Sequence, residues 1–484
     1  MLHFFFMPFM SSFCTRLLLL VASVFLGSCA TGSVVARQNL PTPSEIRSPD
    51  SKSVAQQLEA SGSRGRLTLE QRERMIKRLG AQGHANSVQR HLAAMSAQDE
   101  VELYPGNEAK LLVDGPATYK AMFAAIETAT QSVLLESYII EDVEVAQRLA
   151  SLLAKKRAEG VLVAIIYDGL GSFGTDESYF DGLRASGVLV CAFNPVKPTT
   201  RLGYWNISHR DHRKILTVDS QWAFTGGINI SAVYSSGSFS RSQISKAPVN
   251  PKSGWRDTQV QIRGPAALAL DQLVRQTWLL QGCEGVLAQS LPTSVRSKQA
   301  FGEDVIRIVP STPSAVSNPI YTLLLTSIDA SQRSIYVTMA YFAPGKDLIE
   351  AICDAALRGV DVQLILPSVS DFSPVLYAGQ SYYHRLLTSG VKIYELQSAV
   401  LHAKTAVIDG VVSTIGSSNL DWRSFASNNE VNAVMLGETF GQSMTKMFKN
   451  DLEVSQQITL AQWEKRSLWR RTKEQVSKAL ERFW

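Results

Sequence analysis

His212, Lys214, Asp219 and Asn229 punctuate the stretch HRKILTVDSQWAFTGGIN, and 190 residues later His402, Lys404, Asp409 and Asn419 punctuate LHAKTAVIDGVVSTIGSSN. In both copies Lys follows His by two positions, Asp by seven and Asn by seventeen. Charged side chains framing a run such as Ile215, Leu216 and Val218 are costly to bury without partners, so the repetition points to a shared use. Side chains alternate between the faces of a strand, so His212 and Lys214 project together, and so do His402 and Lys404. Gly226 and Gly227 permit close backbone approach, and Asn229 adds an amide nearby. Two imidazoles, two ammoniums and two amides gathered in one pocket would hold an anion with several oxygens, and a phosphodiester fits. One imidazole can attack phosphorus while the other protonates the departing alcohol. Such chemistry needs no metal or other cofactor. A single His-x-Lys-x4-Asp can as well be a capped edge strand with a satisfied histidine, but two copies with the same downstream Gly and Asn weigh against that.

The elements that must position these residues repeat on the same scale. ATYKAMFAAIETATQSVLLESYII, VAQRLASLLAKKRAEGVLVAIIYDG and YFDGLRASGVLVCAFNP each read as a helix followed by a strand. IYTLLLTSIDASQRSIYVTMAYF, LIEAICDAALRGVDVQLILPS and YYHRLLTSGVKIYEL answer in the same order. The pattern predicts an α/β protein of two duplicated domains, residues 105–290 and 300–450, each a mixed sheet flanked by helices. Paired about a pseudo-twofold axis, they would bring both His-Lys-Asn sets to one cleft. The Ser-rich stretch from Tyr234 to Gly254 has no counterpart in the second half and reads as a mobile loop beside the site.

With 484 residues, 45% hydrophobic and 19% charged, the chain has material for more than one core and is too apolar to be disordered. Its net charge of +5 permits an anionic partner without choosing one. Cys14, Cys29, Cys191, Cys283 and Cys353 form no C-x-x-C pair, which excludes a disulfide scaffold or zinc site. A Cys191–Cys283 bridge is conceivable after export, but separate buried thiols are the expectation.

Residues 1–29 carry Arg16, an apolar run from Leu17 to Leu26, then Gly27, Ser28 and Cys29. The run is about half of what a bilayer span requires, so a cleaved export signal is expected. Its end resembles the bacterial lipoprotein signal, which implies lipidation of Cys29, with a plain signal or an uncleaved anchor as the alternatives. Ala30 after that Cys leans toward the outer membrane by the same resemblance. Residues 30–65, rich in Ser, Pro, Gln and Gly, read as a flexible tether. Residues 66–104 form a helical extension, where Thr68 is a candidate N-cap and Gly80 a stop. Residues 451–484 set Trp463, Leu468, Trp469 and Val476 among Arg466, Arg470, Arg471 and Lys473. Such a basic amphipathic helix suits an anionic membrane surface, or else packs on the body with its basic face in water.

At the two motifs the sequence resembles the phospholipase D superfamily, marked by a duplicated H-x-K-x4-D with a downstream G-[GS]-x-N. Together with WRDTQVQIRGP and GSSNLDWRSFASNNEVN, the likeness extends to bacterial cardiolipin synthases over about residues 105 to 450. This implies a phosphohistidine intermediate and transfer of a phosphatidyl group between two phosphatidylglycerol molecules, releasing glycerol. It casts His212 as nucleophile, His402 as acid and base, and Lys214, Lys404, Asn229 and Asn419 as phosphate ligands. It makes Asp219 and Asp409 orienting residues and pairs Glu430 with a catalytic histidine. The implied partners are phospholipid and a membrane surface, with no nucleic acid; a hydrolytic phospholipase D and a non-catalytic lipid-binding envelope protein are the alternatives. The chain departs from the family where two membrane-spanning helices often begin it, and at Asp211, where Asn is frequent.

Overall fold

The computed structural model describes residues 37–81, 83–97, 100–196, 208–238, 254–285, 287, 300–313 and 317–483. The expected signal, Cys29 and the start of the tether lie outside these residues, as does most of the Ser-rich stretch after Tyr234. From Arg37 onward the expected tether is folded. A short helix, Ser51–Gln56, precedes strands β1 (Glu59–Gly62) and β2 (Gly65–Arg66). Composition misleads here because the few apolar residues are well placed: Leu40, Val54, Ala55 and Leu58 enter one core with Ile320 and Leu324 of the second half. Arg37 clamps the segment further, reaching Asp329 at 2.7 Å and Asp354 at 2.6 Å. The helix expected after Thr68 runs Leu69–Leu79; Gln71 N–H donates to Thr68 Oγ1 at 3.3 Å and Thr68 N–H to Gln71 Oε1 at 2.8 Å, and Gly80 follows the last turn.

The first half contains β3 (Glu102–Val113), β4 (Ser132–Ser137), β5 (Leu162–Asp168), β6 (Leu189–Phe193), the short β7 (Arg210–Asp211), β8 (Lys214–Val218), β9 (Trp222–Gly226) and β10 (Thr258–Arg263). β6, β5 and β4 are parallel, and β4, β8, β9, β10 and β3 continue the sheet antiparallel. The second half repeats this with β11 (Asp304–Ser311), β12 (Ser334–Met339), β13 (Asp361–Pro367), β14 (Lys392–Leu396), β15 (Lys404–Ile408), β16 (Val412–Gly416) and β17 (Asn428–Leu436). β14, β13 and β12 are parallel, and β12, β15, β16, β17 and β11 continue antiparallel. β18 (Ser455–Ile458) closes the β14 edge. Helices cover the sheets, the α/β architecture that the alternating pattern predicts.

The two sheets are joined. β3 pairs with β10 through Val113 to Glu108 and with β11 through Asn107, Pro105 and Tyr104. They also share a core: Ile215, Val260 and Ile262 of the first sheet pack in one cluster with Ile306, Val407 and Val431 of the second. Its apolar burial, at roughly 25 cal/mol per Å², is what holds the halves as one body.

Arg256, fully buried, ties the halves electrostatically. Its guanidinium donates to both carboxylate oxygens of Asp451, at 2.9 and 2.8 Å. Arg256→Ala would strand that carboxylate without its charge partner, at a cost of about 3–5 kcal/mol. Urea denaturation followed by circular dichroism should show the loss; a midpoint equal to wild type would refute it.

Cys191 on β6 and Cys283, just beyond the helix Pro265–Leu280, form a disulfide with their Cα atoms 5.9 Å apart. This corrects the expectation of separate thiols. A separation of 92 residues in the chain gives no hint that an edge strand and a helix end meet within bridging range. Cys353 is buried and free.

Candidate active site

His212 and His402 line the same cleft, of about 460 Å³, together with Asn229, Asn419, Tyr138, Tyr234 and Tyr341. Each histidine sits two residues ahead of its lysine, at the point where β8 or β15 begins. The Nδ1 of His212 lies 3.0 and 3.1 Å from the two carboxylate oxygens of Glu430 on β17. That of His402 lies 2.7 Å from Asp257 Oδ2, one residue before β10. The partners are crossed: each imidazole is held by a carboxylate from the opposite half. An ionised carboxylate accepts the Nδ1 proton and leaves Nε2 with the lone pair, the tautomer that a nucleophile or base requires.

The carboxylates are themselves built in. Ser417 Oγ donates to Glu430 Oε2 at 2.5 Å, and Asn428 Nδ2 donates to Oε1 at 3.4 Å. Thr258 N–H donates to Asp257 Oδ1 at 2.7 Å. Burial opposes ionisation of Glu430, but His212 and Lys214 outweigh it and hold the carboxyl below its ordinary value. Gly227 explains one half of the Gly/Ser alternation downstream of the motif: a Cβ there would stand 2.2 Å from Asp257 Oδ1. At the matching position of the second half Ser417 fits, and its hydroxyl serves Glu430.

Both histidines are driven toward neutrality. Burial is the main cause for His212, and Lys214 and Lys404 add to it against Glu430, so its pKa is pushed down to about 4. Burial and then Lys404 lower that of His402, with Asp257 opposing. At neutral pH the free site therefore presents imidazole bases, and a bound phosphodiester, by offsetting the lysine charge, favours putting a proton back on one of them.

Lys214 and Lys404 are buried beside the histidines they follow. Lys214 Nζ donates to the His212 carbonyl at 2.5 Å and sits 5.0 Å from the centre of the Tyr138 ring; Lys404 Nζ donates to the His402 carbonyl and is 3.0 Å from its Nδ1. Burial, with Lys404 contributing, pushes the Lys214 pKa down to about 7. At neutral pH such a group is poised between its neutral and charged forms. Asn229 Oδ1 accepts the Ile139 N–H at 3.1 Å and its Nδ2 faces Tyr234 Oη at 3.4 Å. Asn419 Oδ1 is buried with no hydrogen-bond partner among the described residues.

Asp219 and Asp409 are not at the site. Each occupies a positive-φ turn, at 52° and 53°, beyond the far end of the motif strand. Asp219 accepts the N–H groups of Thr130, Gln131 and Ser132 at 2.9, 2.7 and 2.8 Å. Asp409 accepts those of Arg333 at 2.7 Å and Ser334 at 3.1 Å, and also contacts His91 Nε2 at 3.0 Å and Ser87 Oγ at 3.2 Å. The orienting role expected of them is corrected to a structural one. Five residues of strand carry Asp the full length of the hairpin arm away from His, and there it staples the hairpin to the chain entering β4 or β12.

Asp257, within WRDTQVQIRGP, is a site residue that the two histidine motifs do not predict. A signal exists: Asp257 precedes Gly264 by seven positions and Glu430 precedes Gly437 by seven, and each Gly opens a helix. Tyr234, whose hydroxyl stands 3.0 Å from His402 Nδ1, and Trp255, whose ring centre is 5.2 Å from that imidazole, also lie outside the motifs. Nothing in their spacing sets them apart.

Asp211 is buried near Glu136. Burial first and Glu136 second raise its carboxyl well above the ordinary range, which favours the protonated form, able to donate a hydrogen bond as an Asn amide would. Asp211→Asn should leave kcat within about threefold of wild type; a hundredfold loss would show that the carboxyl itself is needed.

A family model described as "Cardiolipin synthase, PLD-like domain" matches residues 324–452. The cardiolipin synthase of Halalkalibacterium halodurans is 34% identical over 375 residues, 77% of this chain and 71% of that protein. Cardiolipin synthase A of Pseudomonas entomophila is 34% identical over 373 residues, covering 76% and 73%. The crystal structure of phosphatidylserine synthase from Haemophilus influenzae superposes with a TM-score of 0.57 at 13% identity, over 78% of this chain and 93% of that one, which shows a shared fold. With a third of its residues matched over most of its length to such relatives, and both histidine motifs meeting in one cleft, the chain belongs to the cardiolipin synthase family of the phospholipase D superfamily.

Proposed function

We propose that the protein transfers a phosphatidyl group from one phosphatidylglycerol to another, releasing glycerol and forming cardiolipin. The supporting observation is the crossed pair: two imidazoles on one cleft, each fixed by a buried carboxylate of the other half. Such crossing is what a twofold relation between the halves would produce. In the first step His212 Nε2 bonds to phosphorus, the bond from phosphorus to the glycerol oxygen breaks, and His402 gives that oxygen its proton. In the second, His402 takes the proton of the incoming phosphatidylglycerol hydroxyl, whose oxygen bonds to phosphorus as the P–N bond breaks. Lys214, Lys404, Asn229 and Asn419 neutralise and orient the phosphate oxygens.

Phosphatidylglycerol vesicles incubated with the purified chain should yield cardiolipin and glycerol in equal amounts. Phosphatidic acid as sole product would replace this reading with hydrolysis, and no product at all would favour a lipid-binding protein of the envelope.

The catalytic body acts at a membrane, and we place it in the bacterial envelope outside the cytoplasm, tethered by lipid on Cys29. The Cys191–Cys283 bridge supports an oxidising compartment. Among the described residues no helix is long and apolar enough to cross a membrane. Mass spectrometry of the mature N-terminus tests the anchor: a diacylated or triacylated Cys29 is expected, and an unmodified or uncleaved terminus would discard it.

A further inference from the structure

The C-terminal helix Leu468–Ala479 packs against the body with the wrong side for a soluble surface helix. Its buried residues are Glu474, 0% exposed, and Ser477, while Leu468 is 79% exposed, Trp469 68% and Val476 55%. The inward Glu474 is satisfied by Arg466, whose Nε donates to it at 2.9 Å. Trp469 and Val476 lie seven positions apart, two turns along one side, so an indole and an aliphatic side chain share the outward face. This helix seats on Ser373–Gln380, where Lys473 Nζ stands 5.2 Å from the centre of the Tyr377 ring.

Immediately before Ser373 lies Phe372, a residue of the cleft wall that is 39% exposed. It has a counterpart. Phe372 stands five residues beyond β13, and Phe173, 72% exposed, stands five residues beyond β5, the equivalent strand of the first half. Each phenylalanine is carried on a loop bonded to the cleft segment of its own half. Ser172 Oγ donates to the Tyr138 carbonyl at 3.2 Å, and Tyr341 Oη donates to Asp371 at 2.7 Å. Tyr138 and Tyr341 both line the cleft. An exposed aromatic ring thus stands on the loop flanking the cleft in each half, and the outward stripe of the C-terminal helix extends the second of them. Single exposed apolar residues are ordinary, but paired ones at a duplicated position beside a lipid-processing cleft are not.

We propose that Phe173, Phe372 and the outward face of Leu468–Ala479 form a docking face that sets the mouth of the cleft on an anionic phospholipid leaflet. The rings enter the acyl boundary while the exposed Arg471, with the half-exposed Lys473 and Lys478 that also stand over Tyr377 and Tyr382, meets the headgroups, so that a phosphatidyl group is drawn up only far enough to expose its phosphate. The proposal rests on the phosphatidyltransferase reading, because it takes a lipid as the occupant of the cleft.

Two measurements on the full chain test it. In Phe173→Trp and in Phe372→Trp, the added fluorescence should be quenched by phosphatidylglycerol vesicles with brominated acyl chains and not by unbrominated ones. The double variant Phe173→Ser, Trp469→Ser should lose tenfold or more of kcat/KM on phosphatidylglycerol vesicles, yet stay within twofold of wild type on a short-chain phosphatidylglycerol dispersed as monomers. Absent quenching, or an equal loss on both substrates, overturns the docking face. Quenching without any product from wild type would instead sink the transferase reading and leave the docking face standing.

Discussion

Replacing His212 with Ala is expected to lower phosphatidyl transfer by about 10⁴-fold or more, because in the proposed mechanism it is His212 that holds the phosphatidyl group between the two alcohols. His402→Ala should be nearly as damaging, and the double variant scarcely worse than either, since both residues serve one reaction path. The singles differ in what they strand. Without His212 no phosphohistidine forms, so radiolabelled phosphatidylglycerol leaves no acid-labile label on the protein. Without His402 the label is still expected, slowly gained and slowly lost. Label on the His212 variant and none on the His402 variant would exchange the two assignments, and full turnover in either would remove the chemistry altogether. Since the His212 pKa is pushed down to about 4, its nucleophilic form persists through mildly acidic pH. The acid limb of kcat/KM for wild type should accordingly fall below the ordinary imidazole range near 6.5.

The second large effect concerns a carboxylate distant in sequence from the ring it serves. Asp257→Asn keeps the shape of the side chain but removes the charge that fixes the His402 tautomer, and kcat should drop by about 10²- to 10⁴-fold. Asp257 opposes the lowering of the His402 pKa, so its loss lowers that pKa further. Where protonated His402 is the acid, the alkaline limb of kcat must then move to lower pH. Glu430→Gln should act likewise on His212, which Glu430 also holds up against burial. A pH profile unchanged in shape, with only its height reduced, would mean that these carboxylates merely support the fold.

The duplicated α/β plan, the histidines and the asparagines were legible in the sequence because periodicity and spacing are local properties. The residues that failed were those whose role depends on where strands end up. Asp219 and Asp409 look catalytic because they keep step with the histidines, but a five-residue strand puts them at the opposite end of the arm, in a left-handed turn where Asp is tolerated. Asp257 looked idle because its imidazole belongs to the other half and is 145 residues away. Composition marked residues 30–65 as a tether, yet Val54, Ala55 and Leu58 are enough to dock the part from Arg37 onward when all turn toward one core. The helix after residue 467 was legible as amphipathic, but not which side would face the body.

β3 is hydrogen-bonded to both β10 and β11, so one strand ties the two sheets together at the waist of the molecule. In the proposed mechanism glycerol leaves, and the second lipid arrives, while His212 carries the phosphatidyl group on its Nε2. Initial rates should therefore give parallel double-reciprocal plots in any assay with distinct donor and acceptor, and glycerol should compete with the acceptor by re-forming the starting lipid.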